Sequence, residues 1–352
     1  MKNKPKISFV TVSRNDNHGG DMLKRMRIFT KGLIHQCNKF GLDAELIFVE
    51  WNRDKSKPKL KEILPLPQQN DRLSIRFIGV PNEVHKRLKN HEKIPVFQMI
   101  GKNVGIRRAK ANFVLCTNVD LLFSDSLFVF LSKKLDPAMV YRTNRCDIPK
   151  EIDESKSIEE LLNYAENNIL QRLGKNKWYP EISDTSTFLF HIPFYGLIKS
   201  LPNKFRLMIR KETVNDFLSR IDTDACGDFT MMHKSKWLEI QGYFELEAYS
   251  IHIDSIALIC AHIIGCKQKI LPYHACTYHI SHSNGWELTD PIEKIYMDLD
   301  KPMLDWSSVY SLAKKMFENN ELIQLNKANW GFADENFKED IFEPGKEMQT
   351  IN

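Results

Sequence analysis

The first fifty residues contain a strand, a helix and a second strand, and this order constrains the fold more than any other feature. Residues 7–12 and 44–50 are short apolar runs rich in β-formers. Between them, apolar residues recur at helical spacing until Gly41, while Lys24, Arg25, Arg27 and Lys31 are placed on the opposite, polar face. Two apolar strands joined by a helix are typical of a parallel sheet, so we predict an α/β fold.

The rest of the chain continues this alternation. Further strands are predicted at residues 73–80, 112–117, 140–142 and 268–271. Helices are predicted at residues 95–110, 157–173, 235–241, 254–264 and 307–317. Residues 53–69 are predicted to form a solvated loop, and residues 174–225 show no clear periodicity. We therefore expect a mostly parallel sheet flanked by helices, with a helical extension at the C-terminal end.

Composition excludes several classes of protein. The net charge of +5 is spread over 352 residues, which does not indicate a nucleic-acid-binding polycation. No run of about 18 apolar residues predicts a membrane-spanning helix, and the first residues lead into a strand instead of a signal peptide, so we expect a cytoplasmic protein. The seven cysteines are scattered without a C-x-x-C pair, which predicts free and mostly buried thiols.

Polar residues follow three of the predicted strands. The sequence Ser-Arg-Asn-Asp occupies positions 13–16 after the first strand, Glu50 ends the second, and Asn-Val-Asp occupies positions 118–120 after the strand at 112–117. Ligands of open parallel sheets bind beyond the carboxyl ends of the strands. Carboxylates at three such ends suit a ligand that has a base, hydroxyls and phosphates.

Asp120 has two interpretations. It is either a turn or capping residue, or a ligand of a divalent cation that would offset the charge of a diphosphate. A second ligand would have to come from elsewhere, and the best candidate is the segment His279-Ile280-Ser281-His282, although an isolated H-x-x-H is weak evidence.

Asp254 also has two interpretations, because it lies at the start of an apolar helix. A carboxylate there is commonly a cap that gains from the helix dipole. At the edge of a pocket it would instead accept the proton of an attacking hydroxyl.

Taken together, these residues resemble a GT-A glycosyltransferase, and specifically the inverting enzymes that include many bacterial polysaccharide synthases. The loop at positions 12–16 resembles the one that opens the nucleotide pocket, and Glu50 resembles the acidic residue that contacts the base or ribose. Residues 102–109 (Lys-Asn-Val-Gly-Ile-Arg-Arg-Ala) are similar to the helix that leads to the metal-binding strand. Residues 118–120 then occupy the DXD position.

The resemblance continues to about residue 285. Residues 227–229 (Gly-Asp-Phe), Trp237 and residues 242–245 resemble the segments near the acceptor site of the family. His252-Ile253-Asp254 falls where the family has its Glu-Asp pair, whose Asp is the catalytic base. His279 falls where many GT-A enzymes place a histidine ligand.

The resemblance implies a role for each matching residue. On the donor side these are Ser13, Arg14, Asn15, Asp16, Glu50, Lys102, Asn103 and Asn118. On the acceptor side they are Asp228, Trp237 and His252, with Asp254 as the base and with Asp120 and His279 as ligands of Mn²⁺ or Mg²⁺.

The implied reaction is transfer of a sugar from a nucleoside diphosphate sugar of the UDP or GDP type to a hydroxyl, with inversion. The implied acceptor is a glycan, a lipid-linked molecule or a protein, and no nucleic-acid partner is implied. The implied catalytic domain covers residues 1–285, with an excursion at about 150–225, and residues 286–352 form the extension. Peripheral association with the inner face of a membrane is compatible with this assignment.

Two positions depart from the family pattern, since Asn118 replaces the first DXD carboxylate and Ile253 replaces the Glu of the Glu-Asp pair. Arg142 and Arg145 are interpreted either as contacts of donor phosphates or of an acidic acceptor, or as members of surface ion pairs. Two other functions stay open: a nucleotidyltransferase, and a non-catalytic binding scaffold if the metal site has decayed. A dehydrogenase is disfavoured because no G-x-G-x-x-G follows the first strand.

Overall fold

The computed structural model describes residues 4–174, 177–180, 212–282 and 302–351, and these residues form two β-sheets with helices packed against them. The strands are β1 (Ile7–Ser13), β2 (Ala44–Trp51), β3 (Leu73–Val80), β4 (Phe113–Thr117), β5 (Leu121–Phe123), β6 (Met139–Arg142), β7 (Asn144–Ile148), β8 (Gln171–Gly174), β9 (Lys177–Pro180), β10 (Phe229–His233), β11 (Lys267–Ile270), β12 (Cys276–Ile280), β13 (Glu339–Phe342) and β14 (Gln349–Ile351). The helices are α1 (Met22–Lys39), α2 (Leu60–Ile63), α3 (Asn82–His85), α4 (Gln98–Arg108), α5 (Asp125–Leu131), α6 (Ile158–Asn167), α7 (Val214–Ser219), α8 (Lys234–Glu239), α9 (Ile253–Ile263) and α10 (Trp306–Asn319).

The larger sheet has nine strands in the order β11-β6-β10-β4-β1-β2-β3-β13-β14. β4, β1, β2 and β3 pair in parallel, as the opening strand, helix and strand predict. β10 and β13 pair antiparallel with both of their neighbours, so the other seven strands share one direction. The predicted α/β class, with a mostly parallel sheet flanked by helices, is confirmed.

The central strands are buried on both faces because helices cover both sides of the sheet. Val10 and Val12 of β1 belong to the core cluster that also contains Val104 of α4, whereas Phe9 belongs to the cluster that contains Phe29 of α1. Alternate residues of a strand point to opposite faces, so an unbroken apolar run such as β1 fills both cores. This explains why apolar and polar residues do not alternate along the central strands, as they would in a strand with one face exposed to solvent.

Gly105 allows α4 to pack closely on β1. A Cβ atom at this position would lie 2.4 Å from Cγ1 of Val10. We therefore expect Gly105→Ala to lower the free energy of unfolding by about 1–3 kcal/mol, because overpacking outweighs the helix propensity of alanine. Denaturant titration measures this change. The control is Gly79→Ala, where the nearest atom to the new Cβ lies 4.0 Å away; equal stability losses in both variants would contradict the prediction.

The smaller sheet has the order β5-β12-β7-β8-β9. β12 pairs antiparallel with β5 and in parallel with β7, and β5 follows β4 after the three residues 118–120. The chain therefore crosses from the larger sheet to the smaller one through the segment that the sequence analysis assigns to the DXD position.

Several boundaries differ from the predictions. The helix predicted at 157–173 ends at Asn167, and β8 begins at Gln171, where it pairs with β7. Residues 181–211, most of the excursion without clear periodicity, lie outside the described residues, as does the predicted boundary between residues 285 and 286. The C-terminal region contains the predicted helix as α10, but β13 also joins β3, which makes this region part of the larger sheet.

An ion pair ties β13 to α2. Lys61 Nζ lies 2.9 Å from Oδ2 of Asp340, which is buried at 7% exposure. Burial raises the pKa of Asp340, but the hydrogen bonds from Lys61 and Thr350 and the charge of Lys61 lower it below its usual value overall. The stabilisation that comes from this depressed pKa is therefore present at neutral pH and is lost as pH falls below the unfolded-state value of about 3.9.

Accordingly, we expect Asp340→Asn to lower the free energy of unfolding by about 1 kcal/mol at pH 7, and by less at pH 3. Denaturant titrations of both proteins at the two pH values measure the difference. A loss of the same size at pH 3 and pH 7 would show that the ion pair is not its source.

All seven cysteines are free and buried, as predicted. None of the helices in the described ranges is long and apolar enough to cross a membrane.

Candidate functional site

The carboxyl ends of β1, β2 and β4 meet at one edge of the larger sheet. Ser13 at the end of β1 is paired in register with Glu50 of β2, and β4 ends beside β1 at Thr117. The three polar strand ends of the sequence analysis therefore lie together, as the parallel topology requires.

Asp120, His279 and His282 form a compact cluster at this edge. Nε2 of His282 lies 3.1 Å from Oδ2 of Asp120, and Nε2 of His279 lies 3.8 Å from the same oxygen. One nitrogen or oxygen from each of the three residues lies within 4.8 Å of the others. The structure thus brings Asp120 and His279 together and adds His282, the second histidine of the H-x-x-H segment.

The smaller sheet explains why these residues meet. Asp120 immediately precedes β5, and its carbonyl oxygen accepts a hydrogen bond of 2.9 Å from the amide of Ile280. His279 lies in β12, paired between Leu121 of β5 and Asp147 of β7. The last strand predicted from the sequence is at residues 268–271, and the structure adds a further strand at residues 276–280 that contains His279.

Asp147 and Arg145 of β7 lie behind His279. Nδ1 of His279 is 3.0 Å from Oδ1 of Asp147 and 2.8 Å from Nη2 of Arg145. The contact with Asp147 needs a proton on Nδ1. Because a guanidinium only donates hydrogen bonds, the contact with Arg145 needs a lone pair there instead. With the proton on Nδ1, Asp147 accepts it and the lone pair of Nε2 points toward Asp120, which is the arrangement of a histidine ligand backed by a carboxylate.

The charge of Asp147 is favoured by its surroundings. Burial raises the pKa of Asp147, but the hydrogen bond from His279 and the charge of Arg145 lower it to about 2 overall. Asp147 is therefore an anion at neutral pH and is suited to hold His279 in one orientation.

Arg25 is a site residue that the sequence analysis missed. The helical pattern assigns it to the polar outer face of α1, yet it is only 2% exposed. Nη2 donates to the carbonyl oxygens of His18 and Gly20, and Nη1 lies 3.4 Å from Oδ2 of Asp120. Arg25 thus links the loop after β1 to Asp120.

Asp120 is held as an anion by this surrounding charge. Burial raises its pKa, but the hydrogen bond from His282 and the charges of His279 and Arg25 lower it well below the usual value overall. Its Oδ1 is buried and has no hydrogen-bond partner within the described ranges. An anionic oxygen without a partner, beside two imidazole nitrogens, is open to a cation.

Asn118 is the centre of a hydrogen-bond network. Its Oδ1 accepts from Gln98 and from Nζ of Lys102, at 2.7 and 2.9 Å, and its Nδ2 donates to Oδ1 of Asp228 at 2.7 Å. Arg145 Nη1 binds the other oxygen of Asp228 at 3.0 Å. The asparagine at the first DXD position therefore fixes Asp228, and Arg145 connects Asp228 to the Asp120, His279 and His282 cluster.

A cavity of about 540 Å³ opens beside this network. Asn118, Asp228, His252 and Asp254 line it, and so does Trp306 at the start of α10. Oδ1 of Asp254 accepts a hydrogen bond of 2.9 Å from the amide of Ser255, so its carboxylate is fixed at the start of α9. The structure therefore brings the predicted base, Asp254, and the predicted acceptor-side residues Asp228 and His252 to one cavity.

Three residues that the resemblance assigns to the donor or acceptor side are fully buried. Lys102 and Trp237 have no exposed surface, and Trp237 donates to the carbonyl of Val114 at 3.0 Å. Asn103, also fully buried, bonds both the amide and the carbonyl of Tyr243 at 2.8 Å. In this structure the three side chains position the residues around them, and their predicted donor-side and acceptor-side roles stay predictions.

Arg142 is likewise a positioning residue. It is 1% exposed and donates to the carbonyl oxygens of Phe229 and Asp224, so neither of the two interpretations from the sequence, a phosphate contact or a surface ion pair, describes it.

The remaining donor-side residues lie around the end of β1. Arg14 pairs with Asp16 at 3.0 Å, and both side chains are partly exposed. Asn15 donates to the carbonyl of Pro58, and Glu50 accepts from the amide of Leu60, each at 3.0 Å. Burial raises the pKa of Glu50. Ser13 is 2% exposed, so of this group Arg14 and Asp16 are the most accessible to a ligand.

Comparison with protein-family models gives no match, and comparison with curated proteins gives none. Among solved structures, the chain is similar to GalNAc-T7 crystallised with UDP, GalNAc and Mn²⁺, with 13% identity and a TM-score of 0.44 over 93% of this chain and 53% of that one. It is also similar to residues 1–349 of S. aureus TarS, with 11% identity and a TM-score of 0.41 over 90% of this chain and 71% of that one. The chain thus spans about half the length of the GalNAc-T7 chain.

Proposed function

We propose that this protein is a metal-dependent glycosyltransferase of the GT-A type that transfers a sugar from a nucleoside diphosphate sugar to an acceptor hydroxyl. The observation that carries the proposal is the cluster of Asp120, His279 and His282 at the carboxyl edge of the parallel strands, beside a cavity that contains Asp254. A cation-binding cluster next to a carboxylate-lined cavity provides the two elements that this chemistry needs, one for the diphosphate and one for the acceptor.

The residues of the cluster fit a divalent metal ion. The unpartnered buried Oδ1 of Asp120 supplies a carboxylate ligand, and two imidazoles complete a set of one oxygen and two nitrogens. Imidazole ligands favour a transition metal over Mg²⁺, so we propose Mn²⁺ as the ion. When bound, such an ion offsets the charge of the diphosphate and of the leaving group.

We propose that the donor lies along the edge formed by the ends of β1, β2 and β4. In this arrangement Asp16 and Glu50 contact the nucleoside, and Arg14 contacts a phosphate. Glu50 is held by the amide of Leu60, which leaves its second oxygen as the acceptor for a ribose or base group. Lys102 supports the site from behind through Asn118.

For the chemical step we propose a single displacement with inversion at the anomeric carbon. Asp254 accepts the proton of the acceptor hydroxyl as its oxygen attacks the anomeric carbon, while the bond between that carbon and the diphosphate oxygen breaks. The products are the glycosylated acceptor and the nucleoside diphosphate. Asp228, fixed by Asn118 and Arg145, orients the acceptor side of the cavity.

The first test is calorimetric titration of the purified protein with UDP and with GDP, in Mn²⁺ and then in EDTA. We expect one of the two nucleotides to bind in Mn²⁺ and its affinity to fall by at least about tenfold in EDTA. Absence of binding by both nucleotides in every metal condition would overturn the donor-site assignment and favour a non-catalytic scaffold.

A further inference from the structure

Trp306 presents an exposed aromatic face next to the proposed base. It is 42% exposed, and it lines the same cavity as Asp254. It is the first residue of α10, whose start is fixed by Asp305 through a hydrogen bond of 2.7 Å from the amide of Ser308. An indole of this exposure, held on a capped helix at the mouth of a cavity, is a preformed surface for a ligand.

The ring of His252 packs against the indole. The two ring centroids lie 5.3 Å apart at 65°, an edge-to-face arrangement. His252 has a left-handed backbone with φ of 64° at the N-terminal end of α9, and Asp254 follows two residues later in the helix. His252 therefore connects Trp306 to the segment that carries the proposed base.

The polar residues of the cavity disfavour an anionic acceptor. Three carboxylates line it, those of Asp224, Asp228 and Asp254, and within the described ranges no lysine or arginine does. A phosphate or carboxylate placed here would be repelled, whereas neutral hydroxyls would donate to these carboxylates.

We propose that this cavity binds the acceptor as a neutral sugar ring that stacks on Trp306, an inference that rests on the proposed glycosyltransferase function. A pyranose has a face of C–H groups and an edge of hydroxyls. The negative face of the indole attracts the polarised C–H groups, and the carboxylates accept from the hydroxyls. Nε1 of Trp306 has no hydrogen-bond partner among the residues that the structure describes, so it is available to donate to a ring hydroxyl.

The test uses four free disaccharides as probes: lactose, cellobiose, maltose and chitobiose. Their binding is measured by calorimetric titration in the presence of UDP and Mn²⁺, the ion proposed for the site. We expect at least one disaccharide to bind, and its dissociation constant to rise by about tenfold or more in Trp306→Ala. Trp306→Phe keeps a ring and should stay within about threefold of the unmodified protein.

Two comparisons make the result specific. Leu238→Ala removes an apolar side chain of the same 42% exposure on α8, and it should leave disaccharide binding unchanged. A serine- and threonine-rich peptide and glycerol 3-phosphate are tested in parallel as acceptors of other chemistry. Binding of either of these in place of the disaccharides, or absence of disaccharide binding, would overturn the inference.

The outcome also separates this inference from the function on which it rests. A protein that binds UDP but whose disaccharide affinity is the same in Trp306→Ala would retain the proposed function and lose the stacking role. A protein that binds disaccharides through Trp306 but binds neither UDP nor GDP would lose the proposed function, and the cavity would then be a carbohydrate-binding site without transfer.

Discussion

Asp120→Asn will reduce the rate of sugar transfer, or of donor hydrolysis, by about 100- to 1000-fold at saturating Mn²⁺. The side chain keeps its size but loses the negative charge that His279, His282 and Arg25 surround. Without that charge the cluster contains two imidazoles and a nearby guanidinium, which is a poor site for a dication. The rate is measured by release of nucleoside diphosphate, and bound Mn²⁺ is counted by electron paramagnetic resonance.

Asp334→Asn is the matched control, because Asp334 is an exposed carboxylate outside the site. It should retain both the rate and the bound Mn²⁺. If Asp120→Asn keeps its bound metal and its rate while remaining folded, Asp120 is not a metal ligand and the central observation behind the proposed function is lost.

Asp254→Asn will reduce kcat by about 100- to 10,000-fold and leave the dissociation constant of the nucleotide unchanged. The amide oxygen of asparagine retains the hydrogen bond from Ser255, so the backbone at the start of α9 is preserved. The substitution removes the negative charge of the carboxylate and with it the ability to accept a proton. The expected separation of kcat from nucleotide affinity distinguishes a base from a capping residue, whose loss would act through stability.

The stereochemistry of the product provides an independent test of the same assignment. NMR of the first-formed product reports whether the anomeric configuration is inverted or retained. A retained configuration would contradict a single displacement in which Asp254 is the base, even if Asp254→Asn were inactive.

The α/β class could be predicted because the central strands are long apolar runs covered on both faces. β1 and β2 are buried along their entire length, so their sequences carry a strong signal. The smaller sheet could not be predicted in the same way. β5 has only three residues, and β7 (Asn-Arg-Cys-Asp-Ile) contains two charged residues that belong to the site. Strands of this kind are recognised only when their partners are known.

The candidate site was predicted in part, for a similar reason. Asp120 and Asp254 follow or begin apolar elements, so a polar residue at either position stands out in the sequence. Arg25 does not stand out, because helical spacing cannot distinguish an arginine that faces solvent from one that is buried against a carboxylate. Conversely, Trp237 and Asn103 match the family pattern, but their side chains pack in the core and hold a turn. A pattern of residue types cannot distinguish such a structural role from contact with a ligand.

The pairing of β13 with β3 has a consequence for handling the protein. β3 (Leu-Ser-Ile-Arg-Phe-Ile-Gly-Val) is eight residues long, and β13 occupies the hydrogen-bonding groups on its outer side. A chain cut before residue 339 would present those backbone groups of β3 to solvent as an open template for strands of other molecules. Shortened versions of this protein would therefore be prone to aggregate. A fusion partner is better added after the last residue than used to replace β13 and β14.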